Sequence, residues 1–420
     1  MIIKNGLLID PVKEMTYVAD LRICDGKIAE IGKNLEAAEQ EEVIDAAGKC
    51  VAPGLIDGHV HFRDPGFTYK EDIHTGALAA AAGGFTTVIC MANTKPVADN
   101  VETLKYVLEK GKEEKINVLQ AGAVSVGFKG EELTDFEALL AAGATGLTDD
   151  GIPLTDDTFV RRAMEKAKEL DVVLSFHEED PALITNNGVN RGKASEFYGI
   201  GGSPKEAESA LVGRDCELAK EIGAKINIQH ISSAEAVELV RQAKAAGAKV
   251  YSEAAPHHFT LTEEACIKHG TLAKMNPPLR TEADRLAVIK GLQDGTIDMI
   301  ATDHAPHSVE EKAKAITEAP SGIIGLETSL ALGITSLVKP GHLSLVELIK
   351  KMSLNPAMIY GLDKGTLNVG KDADLVIFDM NQCWTPKEYY SKAVNTPFTG
   401  VELCGEVCMT ICGGKIAFKK

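Results

Sequence analysis

Apolar residues recur along this chain in short runs, separated by Ala-, Glu- and Lys-rich stretches of helical spacing. The strand-like runs are Leu55–His61, Thr86–Met91, Asn117–Val124, Gly146–Thr148, Val172–His177, Ile226–His230, Lys249–Glu253 and Met299–Thr302. Between them the pattern predicts helices at Gly76–Ala82, Val101–Glu114, Phe136–Ala142, Asp156–Glu169, Glu206–Ile222, Ala234–Ala246 and Ala283–Leu292. Strands alternating with helices in this number predict an α/β fold with a parallel sheet closed into a (β/α)8 TIM barrel. The flanks lack the alternation. Ile2–Lys4, Leu7–Ile9, Leu21–Cys24 and Ile28–Ile31 are short β-type pieces, and Asn5-Gly6 and Asp25-Gly26 between them are hairpin signals. After a helical stretch at Leu345–Gly361, strand-like runs return at Ala373–Asp379, Glu406–Cys412 and Lys415–Phe418. The expected arrangement is a small β domain (a β-sandwich) made of residues 1–52 and 362–420, with a barrel of residues 53–361 inserted between its halves.

Composition narrows the partners more than the fold. A net charge of −17 over 420 residues argues against nucleic acid or an anionic membrane surface as partner. The N-terminus has no signal-peptide pattern and no apolar run is long enough to span a bilayer, so a cytoplasmic location is expected. Nine scattered cysteines suit reduced thiols better than a disulfide framework. Cys404, Cys408 and Cys412 would lie about 13 Å apart along a strand, too far to share an ion, and are expected to be small core residues.

The chemistry-bearing residues gather at the ends of the strand-like runs, where a barrel places its catalytic groups. His59, His61 and Arg63 alternate at the end of the first run, so an extended chain turns all three to one side. Two imidazoles held that way make half of a metal site, and the arginine suits an anionic substrate. His177 and His230 end the fifth and sixth runs, and Asp303 follows the eighth. The expectation is one cation on His59, His61 and Asp303 and a second on His177 and His230. Neighbouring cations need an anionic bridge, and Asp150 at the end of the fourth run is the expected one. Asp149 beside it is expected to be an ordinary turn residue. A hydroxide held by the metal would be the nucleophile. Asp303 would take its proton and hand it to a departing amide nitrogen.

Several ordered segments carry a further implication. They are His59-Val-His61-Phe-Arg63-Asp-Pro-Gly66, Lys70-Glu-Asp-Ile-His-Thr-Gly76, Gly83-Gly-Phe-Thr-Thr87, Met91-Ala-Asn93-Thr, Pro256-His-His258, Met275-Asn276-Pro-Pro-Leu-Arg280 and Thr302-Asp303-His-Ala-Pro-His307. Together they resemble the amidohydrolase superfamily and, within it, the larger type of bacterial dihydroorotase, over the whole chain. The resemblance implies a zinc enzyme with one or two ions that interconverts N-carbamoyl-L-aspartate and L-dihydroorotate in pyrimidine synthesis. It also implies a homodimer and an association with aspartate carbamoyltransferase. It implies that Arg63, Asn93 and His307 hold the substrate carboxylate, with Asn276 in the same pocket. Ser308–Gly325, containing Pro320, Ser321 and Gly322, resembles a mobile loop that closes over substrate.

Two departures stand out. Many members bridge their metals with a carboxylated lysine on strand four, and Thr145–Asp150 contains no lysine. Relatives also often have proline where this chain has Ala92. Other cyclic amidohydrolases (dihydropyrimidinase, hydantoinase, allantoinase) and a non-catalytic scaffold subunit are the competing readings. Arg63 with Asn93 argues against the first group, and the retained metal-type residues argue against the second. His304 is expected to orient its neighbours. His74, His269 and His342 are expected on the surface or on helices. The sequence leaves His257 and His258 undecided.

Overall fold

The computed structural model describes residues 1–420. The N-terminal segment forms β1 (Ile2–Asp10), β2 (Met15–Cys24), β3 (Lys27–Gly32), β4 (Val43–Asp45) and β5 (Cys50–Pro53). The strands of the middle segment are β6 (Leu55–Val60), β7 (Phe85–Cys90), β8 (Asn117–Gln120), β9 (Gly122–Ala123), β10 (Leu147–Thr148), β11 (Val173–Phe176), β12 (Lys225–Ile228), β13 (Val250–Ala254) and β14 (Met299–Ile300). The C-terminal segment adds β15 (Leu375–Trp384), β16 (Leu403–Cys412) and β17 (Lys415–Lys419).

Every neighbouring pair from β6 to β14 is parallel, with β8 and β9 forming one strand position interrupted at Ala121. The ring closes where Val60 bridges His304 and the His61 N–H donates to the His304 carbonyl at 2.9 Å. Asp57 tightens the same seam by accepting from the Thr302 N–H at 3.1 Å. The chain is therefore a TIM barrel, with strands where the apolar runs predict them. Its crossover helices begin at side-chain caps, among them Asp72, Asp156, Ser233 and Thr281. Short helices at Lys193–Tyr198, Pro256–Thr260 and Glu263–His269 were not legible in the periodicity, because each is too brief to repeat a pattern.

Both chain ends build one eight-stranded sheet, joined where β5 pairs antiparallel with β15. The sheet curls until its ends meet: Lys27 bridges Asp372, and the Ala373 N–H donates to the Gly26 carbonyl at 2.8 Å. Its enclosed face holds a core of its own, including Ile3, Leu21, Ile28, Val51, Ile377 and Ile411. The sandwich is thus one sheet folded over itself. Its outer residues Val376, Phe378 and Val407 belong to the same continuous apolar core as barrel residues Val88, Leu174 and Ile226, so the two parts pack as one body.

Two sequence expectations are corrected here. Asn5-Gly6 is not a hairpin turn but a bulge inside β1, where the register with β2 slips between Ile3 and Gly6. Asn5 has a φ of 61°, and its N–H donates to Asp20 at 2.8 Å. A Cβ on Gly6 would sit 2.6 Å from Val51 Cγ2, so the close approach of β5 requires glycine there. Asp25-Gly26 does form the β2–β3 turn. The cysteines are not all thiols either. Cys383 and Cys404 are joined by a disulfide, because the β15–β16 register sets them directly opposite each other. That register is a tertiary fact with no trace in cysteine spacing. Cys408 and Cys412 stay free, and no shared site with Cys404 forms. No helix is long and apolar enough to cross a membrane.

Candidate metal centre and substrate cavity

The candidate residues lie just past the C-terminal ends of their strands. His61 and His177 follow β6 and β11 by one residue, Asp150 and His230 follow β10 and β12 by two, and Asp303 follows β14 by three. Beyond the strands the backbone turns sharply. Arg63, His230 and Asp303 have φ values of 61°, 32° and 48°, a region that costs a side-chain-bearing residue on the order of 1–3 kcal/mol. Arg63 therefore does not reach the site by strand alternation, as the sequence pattern suggests. A left-handed turn, closed by the Phe67 N–H donating to the Arg63 carbonyl at 2.8 Å, redirects it into the same cavity.

Asp150 sits at the centre of the cluster. Its Oδ1 is 3.3 Å from His59 Nε2, 3.7 Å from His177 Nδ1 and 3.6 Å from His230 Nε2, while its Oδ2 is 3.3 Å from His61 Nε2. Two groups with metal-binding spacing result, His59–His61–Asp150 and Asp150–His177–His230, and Asp150 belongs to both. Asp303 Oδ1 adds to the first at 3.1 Å from His61 Nε2 and 3.6 Å from His59 Nε2.

The far nitrogens of three of these rings meet acceptors. His59 Nδ1 faces Glu253 Oε1 at 2.6 Å, His61 Nδ1 faces Asn93 Oδ1 at 2.9 Å, and His177 Nε2 faces Glu179 Oε2 at 3.3 Å. Each acceptor draws the ring proton outward and turns a lone pair toward Asp150, the arrangement expected of metal-ligating histidines. Asn276 turns its amide nitrogen to the same His177 Nε2 at 3.1 Å while its Oδ1 has no partner; the reverse amide orientation sets an acceptor against the ring nitrogen.

The residues fit a divalent cation. His59 Nε2 is buried without a hydrogen-bond partner, and four carboxylates (Asp150, Asp303, Glu253, Glu179) are buried among four imidazoles. So much buried negative charge needs positive compensation. Burial opposes ionisation of Asp150, but the adjacent histidines outweigh it and hold the carboxyl well below the usual range. Asp303 behaves alike: burial raises its pKa, but the close contact with His61 and the neighbouring imidazoles outweighs it and holds the carboxyl below the usual range.

Glu253 and Glu179 escaped the sequence reading. A signal existed for Glu253, the one charged residue of β13 inside the barrel wall. Glu253→Gln is expected to weaken retention of a divalent cation by roughly 10–100-fold, read by metal content after dialysis against graded chelator. Unchanged retention would leave Glu253 with a packing role only.

A cavity of about 360 Å3 opens above the cluster. Arg63, Asn93, Asn276 and His307 line it, with Pro320, Ser321 and Gly322 along one wall. Lys274 and Asn187 also line it and were not anticipated. Arg63 has no carboxylate partner; its Nε donates to the Pro306 carbonyl at 3.3 Å and the rest of the guanidinium is free to meet an anion. Burial, with Arg63, Lys70 and Lys312 nearby, pushes the His307 pKa down to about 2, so its ring is neutral. Its Nε2–H donates to the Ser321 carbonyl at 2.8 Å. The fixed positive charge here comes from Arg63 and Lys274.

Residues 48–236 match the family model described as dihydro-orotase-like, and residues 336–418 match that of an amidohydrolase family. The dihydroorotase of Clostridioides difficile is 58% identical over 100% of this chain and 99% of its own length. That of Clostridium acetobutylicum is 52% identical with the same coverage. The chain belongs to the dihydroorotase family. Among solved structures, the L-hydantoinase (dihydropyrimidinase) from Arthrobacter aurescens superposes with a TM-score of 0.90 at 28% identity, covering 100% of this chain and 96% of that one. A D-hydantoinase from Thermus sp. gives 0.86 at 28%, with 100% and 95% covered. The family makes the chain a metal-dependent hydrolase of cyclic amides acting on a small molecule.

Within this dihydroorotase-family chain the remaining histidines have definite places. His304 Nδ1 accepts from the Gly325 N–H at 3.1 Å, and its Nε2 faces the buried Glu71 at 3.4 Å, so it ties the β14 end to the loop that follows. His258 Nε2 meets the Pro277 carbonyl at 3.0 Å. His257 is buried without a partner at Nε2, and burial pushes its pKa down to about 4. Asp149 is no exposed turn residue: it is buried and accepts from the Val124 N–H at 2.8 Å, which holds β10 against β9.

Proposed function

We propose that this chain catalyses the reversible hydrolytic opening of L-dihydroorotate to N-carbamoyl-L-aspartate, with zinc as its metal. Residues 53–361 form the catalytic barrel in this reading, and residues 1–52 and 362–420 the β domain. The observation that carries it is Arg63, a cation without a carboxylate partner on the wall of the cavity above the histidine–aspartate cluster. A ring bearing a carboxylate satisfies that charge; an uncharged ring leaves it half-buried and unpaired.

His59, His61, Asp150, His177, His230 and Asp303 would hold the metal, Asp150 bridging if there are two ions. The metal supplies Lewis-acid polarisation of water and of the amide carbonyl. Arg63 grips the substrate carboxylate, while Asn93, Asn276 and His307 shape the pocket around it. Asp303, ionised in its buried setting, accepts a proton as water adds to the ring carbonyl. It then delivers that proton to the ring nitrogen as the carbon–nitrogen bond breaks. Ring closure retraces these steps.

The test is kcat/KM for L-dihydroorotate against dihydrouracil, the same ring without its carboxylate. A preference of roughly 30- to 5,000-fold is expected, equivalent to the 2–5 kcal/mol of a charge left unpaired. Comparable rates would move the chain to the dihydropyrimidinase class. The equilibrium offers an independent check. Opening creates a carboxylic acid that ionises fully above pH 6, releasing one proton, so the ratio of open to closed form should rise about tenfold per pH unit. A ratio constant between pH 6 and 8 would mean a different reaction.

A further inference from the structure

The wall formed by residues 319–322 is held in an unusual way. All four successive carbonyls accept hydrogen bonds from side chains. Lys274 Nζ donates to Ala319 at 2.6 Å, Lys312 Nζ to Pro320 at 2.9 Å, and His307 Nε2 to Ser321 at 2.8 Å. Gly322 accepts twice, from Lys312 Nζ and from Asn395 Nδ2, each at 3.1 Å. Lys274 and Asn395 come from distant parts of the chain, and three of the donors are deeply buried: Lys274 and Lys312 are each 5% exposed and Asn395 is 2% exposed.

Neither lysine has a carboxylate within salt-bridge distance, so both amino groups give up water for backbone carbonyls alone, and burial pulls both pKa values down, that of Lys312 to about 7. Such burial is unfavourable unless the donors satisfy acceptors that would otherwise be orphaned. Pro320 and Gly322 pair with no strand or helix, so their carbonyls are acceptors of that kind. Other contacts press on the same wall. The Gly322 N–H donates to the Lys274 carbonyl at 2.9 Å. Gly322 has a φ of 136°, and a Cβ there would meet the Ala305 Cβ at 2.8 Å. Asn395 also accepts from the His307 N–H at 3.0 Å and donates to the Ala305 carbonyl at 3.1 Å, so the β15–β16 connection reaches the substrate cavity.

We propose that Lys312, Lys274 and Asn395 are positioning residues that clamp Ala319–Gly322 as a fixed wall of the substrate cavity, so that this stretch stays in place where a mobile lid would open. The wall's importance to substrate rests on the dihydroorotase reading above; the clamp itself does not. Lys312 is the informative residue, because it does not itself line the cavity.

The experiment compares metal-loaded wild type and Lys312→Met by amide hydrogen exchange of residues 319–325 and by steady-state kinetics on L-dihydroorotate. Exchange is expected to speed up at least tenfold and KM to rise about tenfold or more. Metal content should match wild type, and kcat should stay within about threefold. Asn395→Ala, removing a different donor to the same wall, should reproduce both changes and serves if Lys312→Met does not fold. Unaltered exchange in a folded variant would overturn the clamp. Faster exchange with an unaltered KM would overturn its role in holding substrate. If wild type is inactive on L-dihydroorotate, the functional reading fails while exchange still decides the clamp.

Discussion

Asp303→Ala is expected to lower turnover by about ten-thousand-fold while the protein remains folded. The side chain serves two purposes in the proposed mechanism, cation ligand and carrier of the proton, and alanine removes both. Its Oδ1 lies 3.1 Å from His61 Nε2 and 3.6 Å from His59 Nε2, so one carboxylate touches both histidines of the first group. Asp303→Asn separates the roles, since the amide can still contact a cation but cannot accept the proton. Metal analysis beside kcat reads the two apart: the asparagine variant should keep most of its metal and almost none of its rate. An alanine variant turning over within tenfold of wild type, with metal bound, would assign the proton transfer to another group.

Arg63→Met should carry the second largest effect, a loss of roughly 30- to 5,000-fold in kcat/KM for L-dihydroorotate, equivalent to the 2–5 kcal/mol of a charge left unpaired. The stem of methionine keeps the packing and only the guanidinium disappears. The loss should fall on KM, and activity on dihydrouracil should not fall in parallel. Arg63→Lys should lie between, because a point charge replaces a planar two-pronged donor. If both rings lost activity equally, Arg63 would support the turn after β6 and not the substrate. The left-handed backbone at Arg63 makes that control informative, because neither lysine nor methionine relieves it.

Most of the cluster was legible because local rules place it. An apolar run that ends in His59-Val60-His61 brings two imidazoles together through strand geometry, and the barrel gathers the ends of its strands at one rim. His177, His230, Asp150 and Asp303 follow from the same rule, each only one to three residues beyond a strand. The rule fails where the chain leaves the strand. Arg63 reaches the cavity by a left-handed turn, and Asn5-Gly6 carries a turn signature yet forms a bulge, because its environment is decided by Asp20 and Val51.

The sequence by itself determined the order of elements, the barrel, a β domain built from both chain ends and the residue types at the strand ends. These depend on periodicity and on short-range backbone preference, which act within a few residues. Only the tertiary structure decided which nitrogen of each histidine faces the cluster, since Glu253 selects the lone pair of His59 from 194 residues away. It alone set Cys383 opposite Cys404, and it alone brought Lys274 and Asn395 to one stretch of backbone. Such pairings obey hydrogen-bond satisfaction in a water-free interior, a condition that exists only once the distant segments have closed around one another.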